Sequence, residues 1–372
     1  MKILVFTHKS SFFGASKSIF EITNVLCSEH EITYVIPNHG KMEVELQNAH
    51  YKYLILPNPI WTITPKPKKY SNWNYSKHYI KTKLTFLISF LYAYKQSINT
   101  VRRLNPDIII TNTSVAPMGL IVAKHLGIQS ILWIREPLCN KTGWQIPTIF
   151  TIRQVANVIS KANIVIAPSK YLKDYYENTF KLSNVYVLPN IINFFPKKIN
   201  EPPKYTFGMV GSITERKGQY EFAKAMLENT TKTSLIIWGE EGTEYSRKVV
   251  NLAKMSNGRI IMGGYETNLD RIYSSFHIYV NMGINETFGR TTIEAMRAGR
   301  LVFGRNSGAT PELIQHGITG FLFNTPETIF NILGDMESFF ENDKYNDIKV
   351  NALKFSMNYL PQTIKENVSS LF

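Results

Sequence analysis

The sequence predicts an α/β chain built from two doubly wound parallel sheets in tandem. Three observations predict it. Short β-branched runs alternate with segments of helical length along most of the chain. Most of those runs are apolar at consecutive positions, as strands buried on both faces by crossover helices should be. The rhythm stops once, in NIINFFPKKINEPPKY (190–205), and then restarts. A strand–helix alternation of this kind is the βαβ pattern of a parallel sheet, and 372 residues suffice for two domains of ordinary size.

In the first half the strand candidates are KILVFTH (2–8), EITYVIP (31–37), YKYLILP (51–57), DIIITN (107–112), SILWIRE (130–136), NIVIAPS (163–169) and NVYVLPN (184–190). The 190–205 stretch holds three prolines and no clear period, so it reads as a linker. The second series is YTFGMVGS (205–212), SLIIWG (234–239), RIIMGG (259–264), HIYVNMG (277–283), LVFGRN (301–306) and GFLFN (320–324), and the tail from Pro326 reads as helical. The expected organisation is a Rossmann-like domain over 1–190, a linker over 191–204, a second Rossmann-like domain over 205–354, and a C-terminal helix over 355–372 returning to the first domain. In such sheets ligands sit outside the carboxyl ends of the strands, so the chemistry is expected on the loops that follow them.

Composition narrows the classes. The apolar fraction is 44% and the aromatic fraction 13%, which excludes global disorder. Cys27 and Cys139 are the only cysteines, too few for a disulfide framework, and no Cys/His spacing suggests structural zinc; a reduced, cytoplasmic setting is expected. The N-terminus reads as a first strand rather than a signal peptide. The longest apolar run, LTFLISFLYAY (84–94), is about half of the roughly 20 residues a spanning helix needs. It reads first as a buried crossover helix, and otherwise as a segment lying on a membrane surface. Charge is uneven. Residues 1–195 hold 22 Lys and Arg against 9 Asp and Glu, a net +13, whereas 196–372 hold 20 against 19. The basic half implies a polyanionic partner, an anionic lipid surface or a nucleic acid, unless it serves solubility alone. The basic aromatic loop 58–79, with Lys81 and Lys83, points to lipid. Helix-turn-helix and RNP signatures are absent from the sequence, so nucleic acid is not expected.

Four loops carry candidate chemistry. After the first strand, HKSSFFGASKSIFEI (8–22) places Gly14 before a helix, where backbone N–H groups approach a phosphate; a simple turn glycine is the alternative. After the eighth strand, VGSITERKGQYEF offers Gly211, then Arg216 and Lys217 before a helix, a diphosphate clamp or a solvated charged loop. After the eleventh, NETFGRTTIEAMRAG sets Glu286 and Glu294 eight positions apart. On a helix Glu294 could join Arg290 and Arg297 in a surface ladder worth only tenths of a kcal/mol. After the twelfth, Gly308-Ala309-Thr310-Pro311-Glu312-Leu313-Ile314 gives another glycine-bearing helix start.

Taken in order, Gly211…Arg216-Lys217-Gly218, Glu286-Thr287-Phe288-Gly289…Glu294 and Gly308…Pro311-Glu312-Leu313-Ile314 resemble the retaining nucleotide-sugar glycosyltransferases of family 4 (glycosyl transferases group 1). The resemblance is carried by residues 205–324, and in the first half by topology and Gly14. The chain departs from the usual pattern at Phe13, Ser212, Ala309 and Met282-Gly283. The resemblance implies the GT-B fold, with the two Rossmann-like domains facing a central cleft. It implies no cofactor, a UDP- or GDP-linked sugar as donor, and a glycan or lipid-linked acceptor. It implies catalytic roles for Glu286, Arg216 and Lys217. Donor contacts would come from Gly14, Gly211, Tyr265, Thr287, Phe288, Gly289 and Glu294, with Glu294 on the ribose and Glu286 near the transferred sugar. His8, Arg135 and Glu136 (the last two in WIREP, 133–137) are acceptor-side candidates. Diphosphate departure needs a counter-charge. The sequence has no D-x-D motif to hold a metal, so fixed cations and helix N-termini are expected to supply it. A cytoplasmic enzyme, peripheral on the inner face of a membrane, is the setting these features imply. A basic nucleotide- or nucleic-acid-binding module without transferase activity is the alternative from another class. A sugar epimerase or phosphorylase on the same fold is a further enzyme alternative.

Overall fold

The computed structural model describes residues 1–62, 72–138, 149–197, 205–229, 233–341 and 343–369. Cys139, residues 63–71 of the stretch read as a loop (58–79) and residues 198–204 of the proposed linker lie outside them; 72–79 of that stretch are not loop but the start of a helix. The chain forms two compact units, Met1–Ile191 with Lys365–Phe372, and Ile192–Ile364.

Unit 1 holds β1 (Lys2–Thr7), β2 (Glu31–Ile36), β3 (Lys52–Ile55), β4 (Ile108–Asn112), β5 (Gln129–Trp133), β6 (Ile164–Ala167) and β7 (Val185–Val187). They form a seven-stranded sheet in the order β3-β2-β1-β4-β5-β6-β7. Unit 2 holds β8 (Thr206–Val210), β9 (Ser234–Trp238), β10 (Ile260–Gly264), β11 (Ile278–Asn281), β12 (Leu301–Arg305) and β13 (Phe321–Phe323), in the order β10-β9-β8-β11-β12-β13. Each pairing within both sheets is parallel. Every strand candidate read from the sequence is a strand, and the chain has the α/β architecture of two Rossmann-like units.

The apolar runs are continuous because both faces are buried. On β12, Leu301 and Phe303 pack with Phe207 and Phe222, while Val302 between them packs with Ile293 and Met296. Successive strand side chains point to opposite faces, so helices must cover both. Strand order reverses between β1 and β4 in unit 1 and between β8 and β11 in unit 2. At such switch points the loops part and leave a crevice at the carboxyl edge.

The run 84–94 is corrected here. It lies in a long helix, Asn72–Leu104, and is mostly exposed, with only Phe86 and Ala93 buried. Phe86 joins a core with Leu132 and Val155, and Ala93, Ile98 and Val101 join another with Leu4, Val35 and Met118. Leu84, Leu87, Ile88 and Leu91 remain exposed. The buried face of a helix at a sheet needs only a stripe of apolar residues, and this helix carries two. The stretch read as a linker is not featureless either: Ile192 and Phe194 are buried in the core of unit 2.

Candidate functional site

The site in unit 2 assembles at its switch point. Gly211 directly follows β8, and a turn of 3-10 helix, Glu215–Lys217, follows it. The buried Gln219 side chain braces this loop, donating to the Ser212 carbonyl at 3.0 Å and accepting from the Thr214 amide at 3.3 Å. Arg216 and Lys217 are thereby presented toward the loop after β11. There Asn281, the last residue of the strand, accepts from the Gly283 amide at 3.0 Å and donates to Thr292 at 3.2 Å.

Glu286 is the centre of the arrangement. Its Oε1 accepts from Lys217 Nζ at 2.6 Å and from Arg216 Nη1 at 3.2 Å. Its backbone carbonyl accepts from the Ala309 amide at 2.8 Å, which ties in the glycine-bearing loop after β12. Glycines close around it. A Cβ at Gly283 would lie 2.1 Å from Glu286 Oε1, and one at Gly308 would lie 2.5 Å from its backbone N and O. Only glycine lets these segments approach so closely. Burial pushes the Glu286 carboxyl up, but the charges and hydrogen bonds of Lys217 and Arg216 outweigh it and hold the group below its ordinary value. The result is an ionised, buried carboxylate held between two cations.

The helix Arg290–Arg297 starts just beyond, preceded by Gly289 in the left-handed region at φ +98°. Glu294 points inward from it, and it is no solvated ladder. Glu294 is buried, and its Oε2 accepts from the Tyr273 phenol at 2.9 Å, with Arg290 Nη2 3.8 Å from Oε1. Burial first, and the Glu294 charge second, hold the Tyr273 hydroxyl far above its usual range, so it stays a donor. Arg297 turns away to donate to the backbone carbonyls of Ile192, Phe194 and Ser356. Thr287 and Gly289 flank Phe288, whose ring is buried 5.6 Å from Tyr359; Phe288 therefore has its backbone to offer a ligand. Tyr265 is exposed after β10, two strands from β8.

Unit 1 gathers its candidates at the β1/β4 switch point. His8 follows β1, and Gly14 (φ +42°) opens the helix Gly14–Leu26. Asn112, the last residue of β4, donates to the Ala15 carbonyl at 3.1 Å and accepts from Arg135 Nε at 3.0 Å. Arg135 Nη1 also donates to Asn190 at 2.6 Å. Glu136 accepts from the Thr113 hydroxyl, and burial pushes its carboxyl up against the opposing pull of Thr113 and Arg135. His8 is pushed down to about 4, by burial first and then by the charges of Lys9 and Arg135. At neutral pH it is an uncharged imidazole. His8, half-buried, thus lies near the buried Arg135 and Glu136.

Asn112, Asn281 and Tyr273 escape sequence reasoning. A polar residue closing an otherwise apolar strand is the one signal that marks the two asparagines; Tyr273 has none, since it meets Glu294 only in three dimensions.

A doubly wound pair with a cationic loop, an inward glutamate pair and glycine-bearing helix starts at one switch point defines the class: a GT-B glycosyltransferase. The comparisons agree. The family model "Glycosyltransferase Family 4" matches residues 14–194 and "Glycosyl transferases group 1" matches 191–355. Together they span nearly the whole chain, which belongs to this glycosyltransferase family. The lipopolysaccharide 1,2-N-acetylglucosaminetransferase of Salmonella typhimurium is 25% identical over 240 residues, 56% of this chain and 62% of that protein. The N-acetyl-alpha-D-glucosaminyl L-malate synthase of Bacillus anthracis is 31% identical over 107 residues, 29% of this chain and 28% of that protein. The chain thus spans less than two thirds of the length of these curated relatives. The crystal structure of Anabaena HepE in complex with UDP-glucose is similar with a TM-score of 0.78 at 17% identity, covering 100% of this chain and 99% of that one; that likeness is one of fold. A binding module without transferase activity is not favoured by these matches.

Proposed function

We propose that the protein is a metal-independent, retaining glycosyltransferase that moves a hexose-type sugar from a UDP- or GDP-sugar to a glycan or lipid-linked acceptor. The setting proposed is bacterial surface polysaccharide or glycoconjugate synthesis, at the cytoplasmic face of a membrane. The observation that carries the reading is the Glu286 carboxylate seated between Lys217 and Arg216 at the switch point of unit 2. The relatives' names support the acceptor class, and the basic N-terminal half supports the membrane setting.

In this reading the bond between the sugar's anomeric carbon and the diphosphate breaks, and negative charge gathers on the leaving oxygen. Lys217 and Arg216 are fixed cations for that charge and need not reorganise as it develops. Backbone N–H groups near Gly14 and at the start of the Gly289 helix add partial positive charge. Released from the cations, Glu286 accepts hydrogen bonds from hydroxyls of the transferred sugar, beside the backbone of Thr287, Phe288 and Gly289. Glu294, oriented by Tyr273, accepts from the ribose, and Tyr265 stacks on the base. The acceptor oxygen attacks from the face the diphosphate leaves, and its proton passes to a donor phosphate oxygen. His8, Arg135 and Glu136 position the acceptor.

Calorimetry with UDP- and GDP-sugars in the presence of a chelator tests the reading. Saturable binding of one nucleotide class, followed by transfer with the anomeric configuration kept in the product, is the expected result. Absence of nucleotide binding would overturn it.

A further inference from the structure

The helix Asn72–Leu104 has a second apolar stripe that its own unit does not bury. Ile80, Leu84, Leu87, Ile88, Leu91 and Tyr92 are all exposed, Ile88 at 71% and Leu91 at 65%. Their spacing of four, three, one, three and one residues places them on one side of a helix that turns about 100° per residue. The stripe is about 18 Å long. Cations bound it at both ends: Lys77 and Lys81 on the N-terminal side, Lys95, Arg102 and Arg103 on the C-terminal side. All 33 residues of the helix include not one aspartate or glutamate. Among the described residues no helix is long and apolar enough to cross a membrane.

We infer that this face is a membrane-docking surface that lies flat on an anionic lipid bilayer. An exposed apolar stripe framed by basic residues buries its centre at the acyl boundary while its ends meet lipid phosphates. Charge selects this occupant over a second copy of the chain. Stacking two such faces, in either direction, sets basic ends near basic ends with no carboxylate on either helix to offset them. The inference rests on the proposed membrane setting and assigns it to one helix, separate from the donor-site residues of unit 2.

Flotation with vesicles of phosphatidylcholine, alone or mixed with phosphatidylglycerol, tests it on the full chain. The wild type is expected to float with the anionic vesicles and not with the neutral ones. The double substitution Ile88→Asp and Leu91→Asp is expected to lower partitioning roughly tenfold or more, since it removes apolar area and adds anionic charge. Lys81→Gln and Lys95→Gln are each expected to lower it about 5-fold at low salt. Affinity for the nucleotide that the wild type binds, UDP or GDP, measured on the same preparations together with thermal unfolding, should match the wild type in every variant, which certifies folding. Binding of neither UDP nor GDP by the wild type would strike the donor reading and leave the flotation result standing. The docking inference is overturned if the folded wild type does not float, if the double variant floats as well as the wild type, or if sedimentation shows the stripe holding a dimer that the double variant dissociates.

Discussion

Lys217 Nζ lies 2.6 Å from Glu286 Oε1, and the two residues come from loops that follow neighbouring strands, β8 and β11. In the proposed mechanism a diphosphate arriving at this edge competes with a carboxylate already in contact. Under that proposal Lys217 keeps a counter-ion whether or not a phosphate is near, and Glu286 becomes available to sugar hydroxyls only as phosphate displaces it. The pair is mostly buried, so its attraction is less screened than that of a surface pair.

Lys217→Ala is expected to lower turnover by about 10²-fold or more, the scale seen when one fixed stabiliser of developing charge is removed. Donor affinity should fall much less, because the leaving group gains most of its charge at the transition state. Single-turnover rates with a chosen nucleotide sugar measure it. A wild-type rate in the variant would remove Lys217 from the clamp.

Glu286 also predicts a pH dependence. Its folded-state pKa is lowered, so the unfolded chain binds more protons as the solution is acidified. Its contribution to stability is complete above the ordinary carboxylate value and is lost as pH falls below it, through the folded-state value. Glu286→Gln should remove that contribution and leave two neighbouring cations unbalanced, costing about 3 kcal/mol at neutral pH. Denaturant titrations at several pH values check this. The gap between wild type and variant should narrow on acidification; a constant gap would mean that the ion pair does not carry the effect.

Glu294 and Tyr273 form the second testable pair. Glu294→Ala should weaken nucleotide binding most, by roughly 10-fold or more, if the carboxylate accepts from the ribose. Tyr273→Phe keeps the carboxylate but removes the phenol that orients it, so its loss should be smaller and in the same direction. Calorimetry with the free nucleotide separates the two from effects on transfer. Unchanged affinity in Glu294→Ala would reduce the residue to a buried structural acid.

The sheets were legible because a parallel strand buried on both faces is spelled in consecutive apolar residues, and β12 shows why: both Phe303 and Val302 are needed, one for each side. The Glu286 and Lys217 loops were legible from their order along the chain. Burial of single groups was not. Nothing local marks Tyr273 as the partner of Glu294, and Arg290 and Arg297 stand at ladder spacing from Glu294 although Arg297 goes elsewhere. Hydrophobicity placed a helix at 84–94 but could not say which stripe faces the core, since Phe86 and Ile88 read alike until packing separates them.

Arg297 is the clearest case of a role that only the fold reveals. It lies in the last turn of the helix that carries Glu294, where a cation also complements the helix dipole. Its guanidinium is buried and donates to the carbonyls of Ile192, Phe194 and Ser356, segments more than fifty residues away in sequence. Burial lowers its pKa, with the Glu294 charge acting in the opposite sense. The planar fork reaches several carbonyls at once, which a lysine ammonium cannot reproduce. Arg297→Met should therefore cost about 2–4 kcal/mol by leaving buried carbonyls unsatisfied, and Arg297→Lys should recover only part of it. Thermal and denaturant unfolding measure the loss. If Arg297→Met were as stable as the wild type, the carbonyls would have found other donors and the helix would not depend on this anchor.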